Sequence, residues 1–243
     1  MIEIAKRDIK SYFYSPIGYV CIAVLWALTG FFFFQLLTTG SSSYITDMFS
    51  ALFTWRMMII PIITMRSFSE EKRSRTEQTL LTEPVSTAGI VGGKFLACYT
   101  VYGVIVLGSI IPCVVLGFFG QPAWSIIFGN IVASLLYGSA MTAVGVFISA
   151  LTASQTIAAV GTMAAAVFLL LIDSVRALTS NGIVIGIARW ISFTARYLSF
   201  TQGMFSVANA VFFISVSLLF LFLPVQHFER RRGSGSRVFT RGV

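Results

Sequence analysis

Charge is scarce in this sequence of 243 residues: Asp, Glu, Lys and Arg together make up only 11%. A soluble globular domain carries about 25%, so a water-facing charged surface around the whole chain is excluded. Histidine occurs once, as His227, and no carboxylate or cysteine cluster accompanies it. A lone imidazole makes neither a metal site nor a hydrolytic dyad, and an interfacial packing role is expected. The three cysteines, Cys21, Cys98 and Cys113, lie inside apolar segments without paired spacing. That excludes a disulfide framework and a zinc site, and they read as small core residues. A phosphate-binding loop is missing as well. The one Gly-Lys pair is Gly93-Lys94, with Ala88 where the first glycine would stand and Phe95 where Ser or Thr would follow. No catalytic set, cofactor site or metal site is therefore expected in this chain.

What the sequence does have is apolar surface. Hydrophobic residues make up 56%, Phe alone contributes 23, and the mean hydropathy is +0.86. A bilayer provides a solvent for such surface, whereas a soluble core could not hide it. The net charge of +8 does not point to nucleic acid. Basic residues sit at the ends of apolar runs, the pattern of topology and anionic-lipid attraction.

About 20 apolar residues cross the hydrocarbon, and six runs qualify: Ile17 to Thr39, Asp47 to Arg66, Lys94 to Gly117, Trp124 to Ala150, Thr156 to Ile172 and Phe205 to Val225. The first is too long for a signal-peptide core and is closed by no cleavage pattern. With the N-terminus inside, nearly all Lys and Arg between the spans fall on the inner side, and only Arg176, Arg189 and Arg196 fall outside. Positive-inside bias thus predicts an all-α membrane protein with both termini in the cytoplasm.

Three segments are not expected to cross. Residues 1–14 carry Ile2, Ala5, Ile9, Tyr12 and Phe13 between charges, which predicts an amphipathic interfacial helix before the transmembrane domain of residues 15–228. Residues 174–203 are rich in Ile, Trp, Phe and Tyr, and predict short helices or a re-entrant hairpin at the outer leaflet. Residues 229–243 read as a basic, Gly-Ser-rich, flexible tail. Ser134, Gly138 and Thr142 repeat every four residues in the fourth span, and Gly145, Ser149 and Ala153, the last just beyond it, do so one face over. Such ladders allow close helix packing where no hydrophobic effect drives helices together.

Arg56 is the one charge deep inside a predicted span, where insertion costs about 2.5–3.5 kcal/mol. It either lines a polar cavity with Asp173 or snorkels outward from a span that begins late. Asp47 and Ser50 nearby suggest a wet, shallow start and favour the second reading.

The inner loop after the second span reads Met65-Arg66-Ser67-Phe68-Ser69-Glu70-Glu71-Lys72-Arg73-Ser74-Arg75-Thr76-Glu77-Gln78-Thr79-Leu80-Leu81-Thr82-Glu83-Pro84-Val85. Glu70 to Leu81 is helix-permissive, with Glu71 and Arg75 at i,i+4 in the favourable order, and Pro84 ends it. A charged helix tipped by Leu80-Leu81 suits a groove on a soluble partner. The alternative is a solvated loop that obeys the positive-inside rule.

The pattern Met65-Arg66-x-Phe68-x-Glu70-Glu71-Lys72-Arg73, Thr76, Leu80-Leu81-Thr82-x-Pro84-Val85, then Val91-Gly92-Gly93-Lys94, resembles the permease subunits of ABC-2-type transporters, in particular the GldF-like and NosY-like branch. Gln226-His227-Phe228-Glu229-Arg230-Arg231 after the last span resembles that branch too, and Arg75 stands where a small residue is usual. The resemblance implies a coupling helix at about residues 70–83. Its ATPase-facing surface would be Glu70, Glu71, Lys72, Arg73, Thr76, Glu77, Leu80 and Leu81, with Pro84 fixing its exit. It also implies an N-terminal elbow helix, a second permease chain, and two copies of an ATP-binding subunit that holds ATP and Mg. Export from the bacterial cytoplasm is the expected function. A membrane scaffold or mechanotransmission component coupled to an ATPase would use the same helix. A secondary transporter would instead call for several mid-membrane charges and an internal repeat, and the sequence offers neither.

Overall fold

The computed structural model describes residues 1–39, 44–74, 86–119, 124–178, 186, 190–203 and 206–239, of which 36, 39, 44, 119, 173–178 and 231–239 are described in backbone only. Every regular element among them is a helix. Helix α1 (Ile2–Tyr14) ends at Ser15, whose backbone is extended at ψ 138, because the ring of Pro16 disfavours the helical region for the residue before it. Helix α2 (Pro16–Thr39) then starts with proline at the position where a missing N–H costs nothing.

Helix α3 (Tyr44–Thr64) is followed after Met65 by α4 (Arg66–Arg73), and together they form one apolar-to-charged rod over Ile45–Arg73. Met65 between them keeps helical dihedrals, so the described charged helix runs from Arg66 to Arg73, and residues 75–85 of the expected coupling segment lie outside the described residues. Helix α5 (Thr87–Gly108) starts earlier than the run from Lys94 predicts. Ser86 caps it, its hydroxyl accepting from the Gly89 N–H at 3.2 Å, and a cap of this kind satisfies one of the orphan amides of the first turn. A turn at Ser109 separates α5 from α6 (Ile110–Phe119). Pro112 is the cause: it lacks the N–H that would bond the Gly108 carbonyl, and its ring crowds that carbonyl.

Helices α7 (Trp124–Leu151), α8 (Gln155–Leu178), α9 (Phe193–Thr201) and α10 (Val207–Phe239) complete the described set. Among the described residues, six segments are long and apolar enough to cross a membrane: Pro16–Gln35, Ile45–Arg73, Thr87–Phe118, Trp124–Leu151, Gln155–Ile172 and Val207–Arg230. In the described backbone α10 continues beyond Glu229 to Phe239, each residue added to an existing helix end gaining a hydrogen bond without a new nucleus. Ala153 lies beyond the end of α7 and extends no packing ladder.

Helix α7 is the centre of the bundle, packed against α10, α3, α5, α8 and α9. Its Tyr137 ring is enclosed by Phe53, Phe193, Tyr197 and Phe213. In the segment expected to hold short helices or a hairpin, α8 runs on to Leu178 and α9 follows. Ser192 caps α9 and turns Phe193, Tyr197 and Phe200 into the core. The small residues of α7 act as the ladder suggests. A methyl group at Gly138 would collide with the Tyr102 ring of α5, and one at Gly145 with Thr64 of α3. Removing those methyls lets backbones approach, and dispersion holds them.

Candidate functional site

At one end of the bundle, α1, α4, the start of α5 and the end of α7 meet in a network of charges. Lys94 follows Gly92 and Gly93, where α1 lies close to α5: a methyl on Gly93 would press on Ile4 at 3.2 Å. This close approach buries the Lys94 side chain to 3% exposure. Its Nζ lies 2.8 Å from Glu71 Oε1 and 3.1 Å from Asp8 Oδ2, and donates to the Ser67 carbonyl at 2.7 Å. Arg7 Nη2 shares Glu71 at 2.8 Å, and Arg7 Nε bonds Asp8 at 3.0 Å. Two cations and two carboxylates therefore sum to zero charge, the condition under which buried ions are tolerated. Burial alone would pull the Arg7 guanidinium down, yet Asp8 and Glu71 together outweigh it and hold Arg7 above its ordinary value.

A second set of contacts fixes α4 itself. Met65 provides no side-chain cap. The orphan amides of the first turn are satisfied from another helix: Ser149 Oγ of α7 accepts from Phe68 N at 3.0 Å and Ser69 N at 3.2 Å, and donates to the Met65 carbonyl at 3.2 Å. Lys72 Nζ donates to the Ala150 carbonyl and lies over the Phe228 ring. Arg66 grips Glu70 through Nε at 2.9 Å and Nη2 at 3.0 Å, and donates from Nη1 to Ser15 Oγ at 2.5 Å. Tyr12 of α1 donates to the Ile63 carbonyl at 2.8 Å. Burial, followed by the Cys98 thiol beside it, pushes the Tyr12 hydroxyl well above its ordinary value.

Of the predicted docking residues, Glu70, Glu71, Lys72 and Arg73 are described. Glu71 and Lys72 turn inward to α1, α5 and α7, Glu70 is shared with Arg66, and Arg73 is exposed. Thr76, Glu77, Leu80, Leu81 and Pro84 lie outside the described residues. Sequence reasoning missed Asp8, Tyr12 and Lys94 as members of this cluster. The available signal was a single acid, Asp8, in an otherwise basic segment, and a lysine directly after two glycines.

Arg56 of α3 lies elsewhere, in the middle of the bundle, and is only 1% exposed. It donates to Ser134 Oγ of α7 at 2.7 Å and to Ser109 Oγ, at the α5–α6 turn, at 2.5 Å. The reading in which Arg56 snorkels outward is overturned: α3 starts at Tyr44, which places Arg56 well inside the span. Ser134 also meets the hydroxyl of Tyr197 at 3.2 Å, and Tyr102 donates to its carbonyl at 2.8 Å. The Asp173 side chain lies outside the described residues. Thr142, Gly145 and Ser149 are all buried, as are Ser134 and Gly138.

Six apolar spans around a helical core define a multi-pass membrane protein. A family profile described as ABC-2 family transporter protein matches residues 11–230, and the chain belongs to that family. It is accordingly a membrane permease component of an ABC transporter, a class that works with an ATP-binding subunit. No curated protein matches the sequence significantly.

Proposed function

We propose that this chain is the membrane-spanning subunit of an exporter, driven by a separate ATP-binding subunit that docks on α4 and the loop through residue 83. Two such subunits would bind ATP and Mg, and two permease chains would pair across the pathway. Both termini, α1 and α4 would face the cytoplasm of a bacterial cell, with α1 as an elbow on the inner membrane face. Within the family, its loop motif would place it in the GldF-like and NosY-like branch.

One observation carries this reading. The charged helix continues the second span as a single rod, and its side chains are tied to three other helices: Glu71 to α1 and α5, Lys72 and the first-turn amides to α7. A push on α4 would therefore reach several spans at once. Arg73, exposed at its end, and Leu80 beyond it would meet the partner.

The test is retention of an ATP-hydrolysing protein by the tagged chain extracted from its native membrane. Arg73→Glu combined with Leu80→Asp should reduce that retention at least ten-fold while the chain stays membrane-inserted with an unchanged melting temperature. Full retention by the double variant would place the docking surface elsewhere.

A further inference from the structure

Two cavities of opposite character lie on either side of the Arg66–Ser15 contact along the chain: Arg66 lines one, and Pro16, next after Ser15, lines the other. One, of about 230 Å³, is lined by Arg7, Asp8, Arg66, Glu70, Glu71 and Lys94, with Ser11, Tyr12 and Ser67 completing it. The other is an apolar groove of about 560 Å³ between α2 and α3, walled by Ile17, Val20 and Val24 on one side and Trp55, Ile59 and Ile62 on the other. Ser15 directly precedes Pro16 at the mouth of the groove, and Arg66 lies one helical turn beyond Ile62. The charged compartment therefore sits at the end of the apolar one.

We propose that the two compartments together bind a glycerophospholipid with a zwitterionic, amine-bearing headgroup of the phosphoethanolamine class, one acyl chain lying in the groove. The groove spans Pro16 to Val24 on α2, about 12 Å at 1.5 Å per residue. One leaflet of hydrocarbon is half of a core roughly 30 Å thick, so the groove covers most of a single chain's depth.

The headgroup follows from the charges. The cavity pairs three cations with three carboxylates, a poor site for a purely anionic headgroup and a suitable one for a zwitterion. Its deep ions, Lys94, Asp8 and Glu71, are paired with one another and with Arg7. Its rim ions keep open faces: the Arg7 side chain is 54% exposed and that of Glu70 46%. Each Glu70 oxygen accepts one bond from Arg66 and retains a further lone pair. Arg7 and Arg66 suit a phosphate, for which guanidinium is well matched. Glu70 suits a primary ammonium, which brings N–H donors that a quaternary choline lacks.

The site lies wholly within this chain but shares Glu70 and Glu71 with the face proposed for docking, so it is tested on the chain alone, without an ATP-binding subunit. Trp55 at the far end of the groove reports its occupancy. The full chain is placed in nanodiscs containing phospholipids brominated on the acyl chain, with ethanolamine, choline or glycerol headgroups. The difference in fluorescence between the wild type and Trp55→Phe isolates the signal of Trp55. Quenching should half-saturate at a mole fraction of the ethanolamine lipid at least five-fold lower than for the other two. Arg7→Gln, at an exposed position, and Glu70→Gln should each erase that preference, and Val20→Phe should weaken quenching by filling the groove. Equal half-saturation by all three lipids would overturn the proposal, because the groove would then take bulk lipid without reading its headgroup. Absence of quenching by any of them would also overturn it and would show the groove covered by another chain.

Discussion

Lys94 Nζ lies 2.8 Å from Glu71 Oε1, which fastens the start of the third span to the charged helix that ends the second. With Asp8 on the other side of the same ammonium, one lysine joins α1, α4 and α5.

Removing that lysine leaves two carboxylates, each only about one-sixth exposed, with the more exposed Arg7 as their one remaining cation partner among the described residues. Lys94→Met should therefore destabilise the chain by about 3–5 kcal/mol, the range for breaking a buried pair from one side. Glu71→Gln in the same background should add little more. A double-mutant cycle on thermal unfolding in detergent measures the coupling; additive losses would show that the pair contributes nothing jointly.

Gly138 faces the Tyr102 ring with no room for a methyl group. Gly138→Ala should cost about 1–3 kcal/mol through overpacking, and Tyr102→Leu in the same chain should restore part of it by clearing the space. Gly103, which has nothing within 4 Å of an added methyl, serves as the control: Gly103→Ala should leave the melting temperature unchanged or raise it.

Arg56 has neutral partners, Ser109 and Ser134. Exchange for an apolar side chain of similar length removes a buried ion together with its desolvation cost, which is often neutral. Arg56→Met should therefore melt within about 1.5 kcal/mol of wild type, whereas Arg56→Ala, which leaves a cavity, should lose at least twice as much. Equal losses would show that the charge, not the volume, holds the site.

Tyr12 supplies a pH signature. Its folded-state hydroxyl is raised well above the ordinary value, chiefly by burial, so its contribution is fully present below the unfolded pKa of about 10 and is lost as pH rises above that. In that window the unfolded chain loses a proton that the folded chain keeps, and stability falls by up to about 1.4 kcal/mol per pH unit. Tyr12→Phe should flatten the fall above pH 10 relative to wild type. It should also cost about 1 kcal/mol at neutral pH, through the bond lost to the Ile63 carbonyl. Parallel curves for the two chains would exclude the linkage.

Much of the fold is legible along the chain because a bilayer imposes a one-dimensional rule: a span needs an unbroken apolar run, and six such runs stand out between basic flanks. Helix starts were less legible. Thr87 to Gly93 looks too mixed to begin a span, and only the Ser86 cap with the glycine contact to Ile4 explains why α5 starts there. The extension of α10 past Arg232 runs through Gly and Ser, residues of low helix propensity, and propagation from an existing end overrides them.

The amino-acid sequence by itself settled the solvent and the count of apolar runs, since those depend on composition and local order, and its loop motif carried the resemblance to the family. The tertiary structure alone decided where the charges go. Asp8, Glu71 and Lys94 are far apart in sequence, and Arg56 meets the Ser134 hydroxyl of α7 and the Ser109 hydroxyl at the α5–α6 turn. Partner choice for a buried ion is a matter of distance in three dimensions, because in a medium of low dielectric only neighbours within a few ångströms can offset the loss of water.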